Sequence, residues 1–253
     1  MITILLIRGL SRQQGHWGEF PKCLESEFEK QGLEFKIAFE DLPGFGKRHQ
    51  QTSPSNIAKI AELLVPTLEK LSIETHQKIH LVGISMGGMV AMELAGRFPE
   101  YCESLVMINS SVKPVARFYQ RLRPKAYPAF LKAWFHPFMR ESERQILKIS
   151  SENRIHDEIL LDDWLELRKN NPPSRIAAIK QLIAASRFEA PRHPPINKVL
   201  LVASKNDHVA SYLCTVNLAN YWQVQSVIHE TAGHDLALDE PEWLARVCLD
   251  WVS

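Results

Sequence analysis

The chain has 253 residues, 45% of them hydrophobic, enough to bury a sizeable core in one large domain or in one domain that carries an insertion. Its formal net charge is +1, and that balance favours neither nucleic acid nor a membrane surface as a partner of the whole molecule. The four cysteines, Cys23, Cys102, Cys214 and Cys248, are scattered without a C-x-x-C pair. They read as single thiols in a reducing compartment and speak against a disulfide framework or a cysteine metal site.

Met1 to Arg8 reads as a first strand, ended by Gly9. The run lacks the basic lead of a signal peptide, and no stretch approaches the ~20 apolar residues of a membrane span. A cytoplasmic location with no membrane span is the expectation. A polar, flexible loop from Leu10 to Gly15 follows, then a helix from Trp17 to Gln31 with Trp17, Phe20, Leu24 and Phe28 on one face. Phe35 to Phe39 alternates like a strand and enters the turn-rich loop Asp41-Leu42-Pro43-Gly44-Phe45-Gly46. Ser53-Pro54 predicts the start of one helix running to about Leu71 and bent at Pro66. Ile79 to Val82 is a buried strand, Met86 to Phe98 a helix, and Leu105 to Asn109 another buried strand.

From Ser110 to Pro195 the strand–helix alternation stops. Helical patterns cover 116–123, 127–138, 141–150, 156–169 and 174–186, amid proline-rich punctuation. Alternation resumes with a strand at 199–203, a helix at 211–221, a strand at 224–229 and a helix at 240–252. The layout predicts an α/β fold: a mostly parallel, doubly wound sheet of about six strands, with a helical cap over its carboxyl edge. Residues 1–111 and 196–253 form the core in this reading, and 112–195 the cap. Charge divides along the same line. Between Val112 and Lys198 there are 17 Lys or Arg against 9 Asp or Glu, which marks either a solvated basic surface or an element that attracts an anionic partner.

Gly83-Ile84-Ser85-Met86-Gly87 is a G-x-S-x-G set between a strand and a helix, the context of a nucleophile elbow. Such a turn strains the serine backbone and needs glycines where side chains would clash. Ser85 Oγ then projects over the carboxyl edge of the sheet, beside the first amides of the next helix. A serine at its ordinary pKa is a poor nucleophile and requires a base. Asp207 and His234 both follow predicted strands, so all three reach one edge of the sheet. His234 is placed to take the Ser85 proton, and Asp207 to fix the imidazole tautomer. His208 and His16 compete for the histidine role, and Asp235 and Asp239 for the acid. The backbone N–H groups of Met86 and Leu10 are the candidate oxyanion donors, with Gly9 allowing close approach.

These motifs resemble the α/β-hydrolase superfamily over nearly the whole chain. The resemblance is carried by LLIRGL at 5–10, DLPGFGKR at 41–48, LVGISMGGMVAMELAGRFPE at 81–100, LVMINSS at 105–111, VASKNDHV at 202–209 and AGHDLALDEPE at 232–242. In character the chain looks like small capped serine esterases and thioesterases, such as pimeloyl-carrier-protein methyl ester esterases. The resemblance implies Ser85, Asp207 and His234 as a triad that needs neither cofactor nor metal. Two departures stand out. Arg8-Gly9 replaces the usual His-Gly, so Arg8 either organises the oxyanion loop or binds a substrate carboxylate or phosphate. The usual leading β-hairpin is also missing, which leaves about six strands. Arg8, Trp17, Phe118, Phe130, Trp134 and Phe138 are the candidate pocket residues, from a segment, 118–138, that holds seven aromatics. The implied partner is a small acyl ester or thioester, or an anionic or carrier-bound acyl group. Two further readings remain open: a C–C bond hydrolase or menaquinone-pathway-type lyase using the same triad, and a non-catalytic ligand-binding protein.

Overall fold

The computed structural model describes residues 1–253. Six strands form one fully parallel sheet in the order β2-β1-β3-β4-β5-β6, where β1 is Ile2–Ile7, β2 Phe35–Glu40, β3 Ile79–Ile84, β4 Cys102–Ile108, β5 Val199–Ser204 and β6 Gln225–His229. β3 and β5 are buried along their whole length, as expected for central strands covered on both faces. The period-2 alternation of β1 divides the core: Leu5 and Ile7 point into one apolar cluster, Ile4 and Leu6 into another.

The first cluster is packed by α2 (Ile57–Glu62), α3 (Val65–Thr75), α4 (Met86–Arg97) and α10 (Leu213–Trp222). The second is covered by α1 (Phe20–Lys30) and α12 (Pro241–Val252). Between β4 and β5 lie only helices: α5 (Phe118–Arg121), α6 (Tyr127–Phe135), α7 (Met139–Ser150), α8 (Glu158–Asn170) and α9 (Arg175–Arg187). The ends of this insertion are tied together, for Ala190 N–H donates to Lys113 O at 2.6 Å and Lys113 N–H to Phe188 O at 3.3 Å. A short helix, α11 (Leu236–Asp239), precedes α12 and packs Leu238 against Leu147, Leu161 and Trp164 of the cap.

Local chemistry moves several boundaries from the sequence-based expectation. The helix foreseen from Ser53 to Leu71 is two helices: Asn56 caps α2 by accepting from Lys59 N–H at 3.2 Å, and Pro66 sits in the first turn of α3. Proline lacks the N–H that a first turn leaves unpaired anyway, so it starts a helix here and does not bend one. Trp17 closes a separate 3-10 turn, and Gly18 at φ 57° redirects the chain before α1. The loop after β1 is ordered: Gln13 and His16 are buried, and Gln13 N–H donates to His16 Nδ1 at 3.2 Å.

The strand order dictates where a site can form. β1 has β2 on one side and β3 on the other, and the chains leaving β1 and β3 turn to opposite faces of the sheet through α1 and α4. A crevice opens at that switch point, outside the carboxyl ends of the two strands. Gly9 and Ser85 are there.

Candidate active site

Ser85 occupies the turn between β3 and α4 with φ 56° and ψ −122°, a conformation that costs a non-glycine residue on the order of 1–3 kcal/mol. Its neighbours explain how the turn is held. A Cβ on Gly83 would lie 2.4 Å from Gly87 O, and one on Gly87 would lie 2.2 Å from Ile7 O. Only glycine lets α4 start so close to β3 and β1. Ser85 N–H donates to Ile108 O at 2.7 Å, and Ser110 Oγ–H donates to Ser85 O, so the turn is fixed from both ends. From Ile79 to Met92, Ser85 is the one residue that is not buried.

Asp207, in the loop after β5, is buried at 1% exposure, and its Oδ2 lies 2.6 Å from His234 Nδ1. The other oxygen, Oδ1, accepts from Val209 and Ala210 N–H at 2.7 and 2.8 Å, so the carboxylate cannot rotate away. A carboxylate only accepts, so Nδ1 carries the proton and Nε2 is left as the basic nitrogen. Burial lowers the His234 pKa, but the Asp207 charge and hydrogen bond, helped by Asp235, outweigh it and leave the pKa above the usual 6.5. Ser85 Oγ makes no hydrogen bond to the imidazole in this state of the protein; such contacts commonly tighten only with substrate.

The competing histidines and acids are engaged elsewhere. His16 is buried against Trp164, with ring centroids 5.2 Å apart, and burial together with Arg12 and Arg8 drives its pKa well down. His208 faces Glu152 at 2.6 Å on the surface. Asp239 accepts from Gly233 N–H at 2.7 Å and Glu152 N–H at 2.9 Å, joining the histidine loop to the cap. Asp235 takes both ends of the Arg8 guanidinium, at 3.0 and 2.5 Å.

Of the two roles open to Arg8, loop organiser or substrate-binding cation, that last pair supports the first. Arg8 is 3% exposed, lies 4.9 Å over the Trp17 ring and has its charge met by Asp235, so it fastens the histidine loop to the end of β1. Trp17 is also no pocket residue. It is 1% exposed and packs into the core beneath the sheet beside Phe20. Phe118 and Phe138 project into solvent at 77% and 71% exposure, whereas Phe130 and Trp134 are partly buried in the cap. The aromatic segment turns several rings outward because α6 buries only one side, with Ala133 at its centre.

Sequence reasoning missed Asn109. It follows β4 at φ 47°, a left-handed position that asparagine tolerates better than most residues. Its Nδ2–H2 donates to His234 O at 2.7 Å, Gly233 O at 3.3 Å and Ser204 Oγ at 3.1 Å, while its Oδ1 accepts from Ser204 N–H at 2.7 Å. Together these bonds hold the ends of β4 and β5 and the histidine loop. An asparagine directly after a buried strand was the only available signal, and partners 95 and 125 residues away leave no local trace.

A Cβ on Gly9 would stand 3.0 Å from Ser85 Cβ and 3.5 Å from Ser85 Oγ, so the start of the Leu10 loop passes directly beside the serine. Leu10 N–H has no partner within the protein, and Met86 N–H is the first amide of α4.

A parallel α/β sheet with a serine at the strand–helix elbow and a His–Asp pair beyond it defines the class. Residues 4–247 match the family model described as alpha/beta hydrolase family, and the chain belongs to that family. It is 30% identical over 168 residues to the pimeloyl-[acyl-carrier protein] methyl ester esterase of Aeromonas salmonicida (strain A449), a match spanning 65% of this chain and 62% of that one. It is 24% identical over 254 residues to the putative carbamate hydrolase RutD of Agrobacterium fabrum, covering 95% of this chain and 88% of the relative. Among solved structures, a bacterial membrane phospholipase A superposes with a TM-score of 0.76 over 99% of this chain and 78% of that one. At 22% identity that likeness concerns the fold. No helix is long and apolar enough to cross a membrane.

Proposed function

We propose that this protein is a serine hydrolase that cleaves a carboxylic ester or thioester through a covalent acyl-enzyme. The observation that carries the reading is the buried Asp207–His234 pair at 2.6 Å, at the same sheet edge as a serine held at positive φ. His234 Nε2 takes the proton as Ser85 Oγ attacks the acyl carbon and returns it to the departing alcohol or thiol. Water, activated by the same nitrogen, then releases the acid. Asp207 keeps the proton on Nδ1 and stabilises the imidazolium. The Leu10 and Met86 amides receive the oxyanion, each such donor contributing about 3 kcal/mol to the transition state. Phe130 and Trp134 are the remaining ring candidates for an acyl pocket. The similarity to a carrier-protein methyl ester esterase supports an acyl ester as substrate. The C–C hydrolase reading needs a basic pocket for a carboxylated substrate, and Arg8 does not supply that charge, because its guanidinium is committed to Asp235.

The test is intact mass after a fluorophosphonate, with wild type beside Ser85→Ala and His234→Ala. We expect one adduct on wild type, none on Ser85→Ala and a much slower one on His234→Ala. A folded wild type that takes no adduct would overturn the hydrolase reading and favour ligand binding.

A further inference from the structure

The cap carries an apolar surface that nothing in the protein covers. On α6, Tyr127, Leu131 and Phe135 recur at four-residue intervals, one stripe of a helix, yet they are 39%, 58% and 76% exposed. Phe118 and Phe138, before and after α6 in the chain, are 77% and 71% exposed. Seven of the chain's 17 exposed large apolar side chains fall within residues 118–139, which is too concentrated for scattered surface hydrophobics.

The charges in this segment have one sign. From Ser104 to Arg140 there is no Asp or Glu and there are seven Lys or Arg. Arg140 is neutralised by Glu158 and Asp162, but Arg117, Lys125 and Lys132 are exposed and enter no ion pair. Arg121 and Arg123 enter no ion pair and bond to carbonyl oxygens, Arg121 to Ala185 O and Ser186 O at the C-terminal end of α9 and Arg123 to Asp207 O. The whole-molecule charge of +1 hides this local field.

We propose that residues 117–139 are an interfacial patch that docks on an anionic lipid surface, with the exposed rings entering the acyl–headgroup boundary and the free cations facing phosphates. A segment that exposes the apolar stripe of α6 and carries unpaired cations at Lys132 on that helix and at Arg117 and Lys125 before it has the composition such a surface selects. A second copy of the chain would bring two patches of the same charge together. The patch is also wired to the site. Arg123 N–H donates to Val209 O at 2.8 Å and Ser211 N–H to Gln120 O at 2.8 Å, so the segment is anchored beside the loop that bears Asp207. Docking there would present the cleft to esters held in lipid. The inference does not depend on Ser85 chemistry.

The test is co-sedimentation with vesicles of phosphatidylcholine alone and of phosphatidylcholine mixed with phosphatidylglycerol. Wild type and Ser85→Ala should both sediment with the anionic vesicles, weakly with the neutral ones, and less as salt is raised. Phe118→Ser/Phe135→Ser/Phe138→Ser should stay in the supernatant, and Lys125→Glu and Lys132→Glu should each weaken partitioning roughly fivefold or more. All of these positions are exposed, and circular dichroism melts check that the variants remain folded. Equal binding to both vesicle types, or none to either, overturns the proposal. So does a wild-type dimer in solution that the triple variant dissolves, or patch-dependent binding to a purified acidic acyl carrier protein without binding to vesicles.

Discussion

At His234 two opposing influences meet. Burial disfavours the imidazolium, while the Asp207 carboxylate at 2.6 Å favours it, and the second wins. A general base must be neutral, so the acid limb of kcat/KM should lie above pH 6.5. Asp207→Asn removes the charge and leaves burial, so the limb should move to lower pH while kcat falls about ten-thousand-fold. A pH–rate profile of both proteins with one ester checks this, and an unmoved limb would detach Asp207 from the histidine. Arg8 and Asp235, both nearly fully buried, make the second residue-level prediction. Arg8→Leu strands a buried carboxylate and should cost on the order of 3–5 kcal/mol in a denaturant melt. Arg8→Leu/Asp235→Leu should recover most of that loss. A single substitution as mild as the double would show that the pair does not matter to the fold.

The elbow is the element on which the site depends. Its geometry was legible because G-x-S-x-G between a strand and a helix has one low-clash solution, and Gly83 and Gly87 sit where a Cβ would meet backbone. Gly87→Ala puts a methyl 2.2 Å from Ile7 O, a contact that side-chain rotation cannot relieve. We expect destabilisation of about 1–3 kcal/mol or more and loss of fluorophosphonate labelling, read by thermal melt and intact mass. Full labelling at wild-type stability would refute the packing argument. Other elements were less legible. Pro66 reads equally as a kink or as a first-turn proline, and only the Asn56 cap and the break after Glu62 decide between them. Asn109 was invisible for a different reason: its three partners come from β5 and the histidine loop, and distance along the chain erases any local pattern.

For the whole molecule, the buried histidines should make stability fall with acid. His80, inside β3 with Nδ1 2.8 Å from Ser104 Oγ, is pushed down to about 4 by burial and by Lys198. Unfolded, it would titrate near 6.5, so the unfolded state binds more protons between these values and stability falls as pH drops from about 6.5 to 4. A shift of that size is worth about 3 kcal/mol. His80→Asn should therefore lose less stability over that range than wild type, measured by urea melts at several pH values; parallel losses would remove His80 as the cause. His16, also driven down by burial, should add to the same acid sensitivity. The cap belongs to this scale too, since its stems are paired and Asp239 ties it to the histidine loop.

The sequence by itself determined the parallel α/β sheet, its six strands, the helical insertion and the elbow. Each is written in short-range terms: alternation of period two, helical spacing, and glycines beside a serine. It also brought Ser85, Asp207 and His234 to one edge, because residues that follow strands of a parallel sheet all emerge on its carboxyl side. Only the tertiary structure decided which acid faces which base, since Asp207, Asp235 and Asp239 all lie near strand ends and differ in their partners. It also decided that Arg8 is spent on Asp235 and that Trp17 belongs to the core while Phe118, Phe135 and Phe138 face outward. Composition counts rings and charges, but burial depends on which helix face finds a neighbour, and that is settled only when the chain packs.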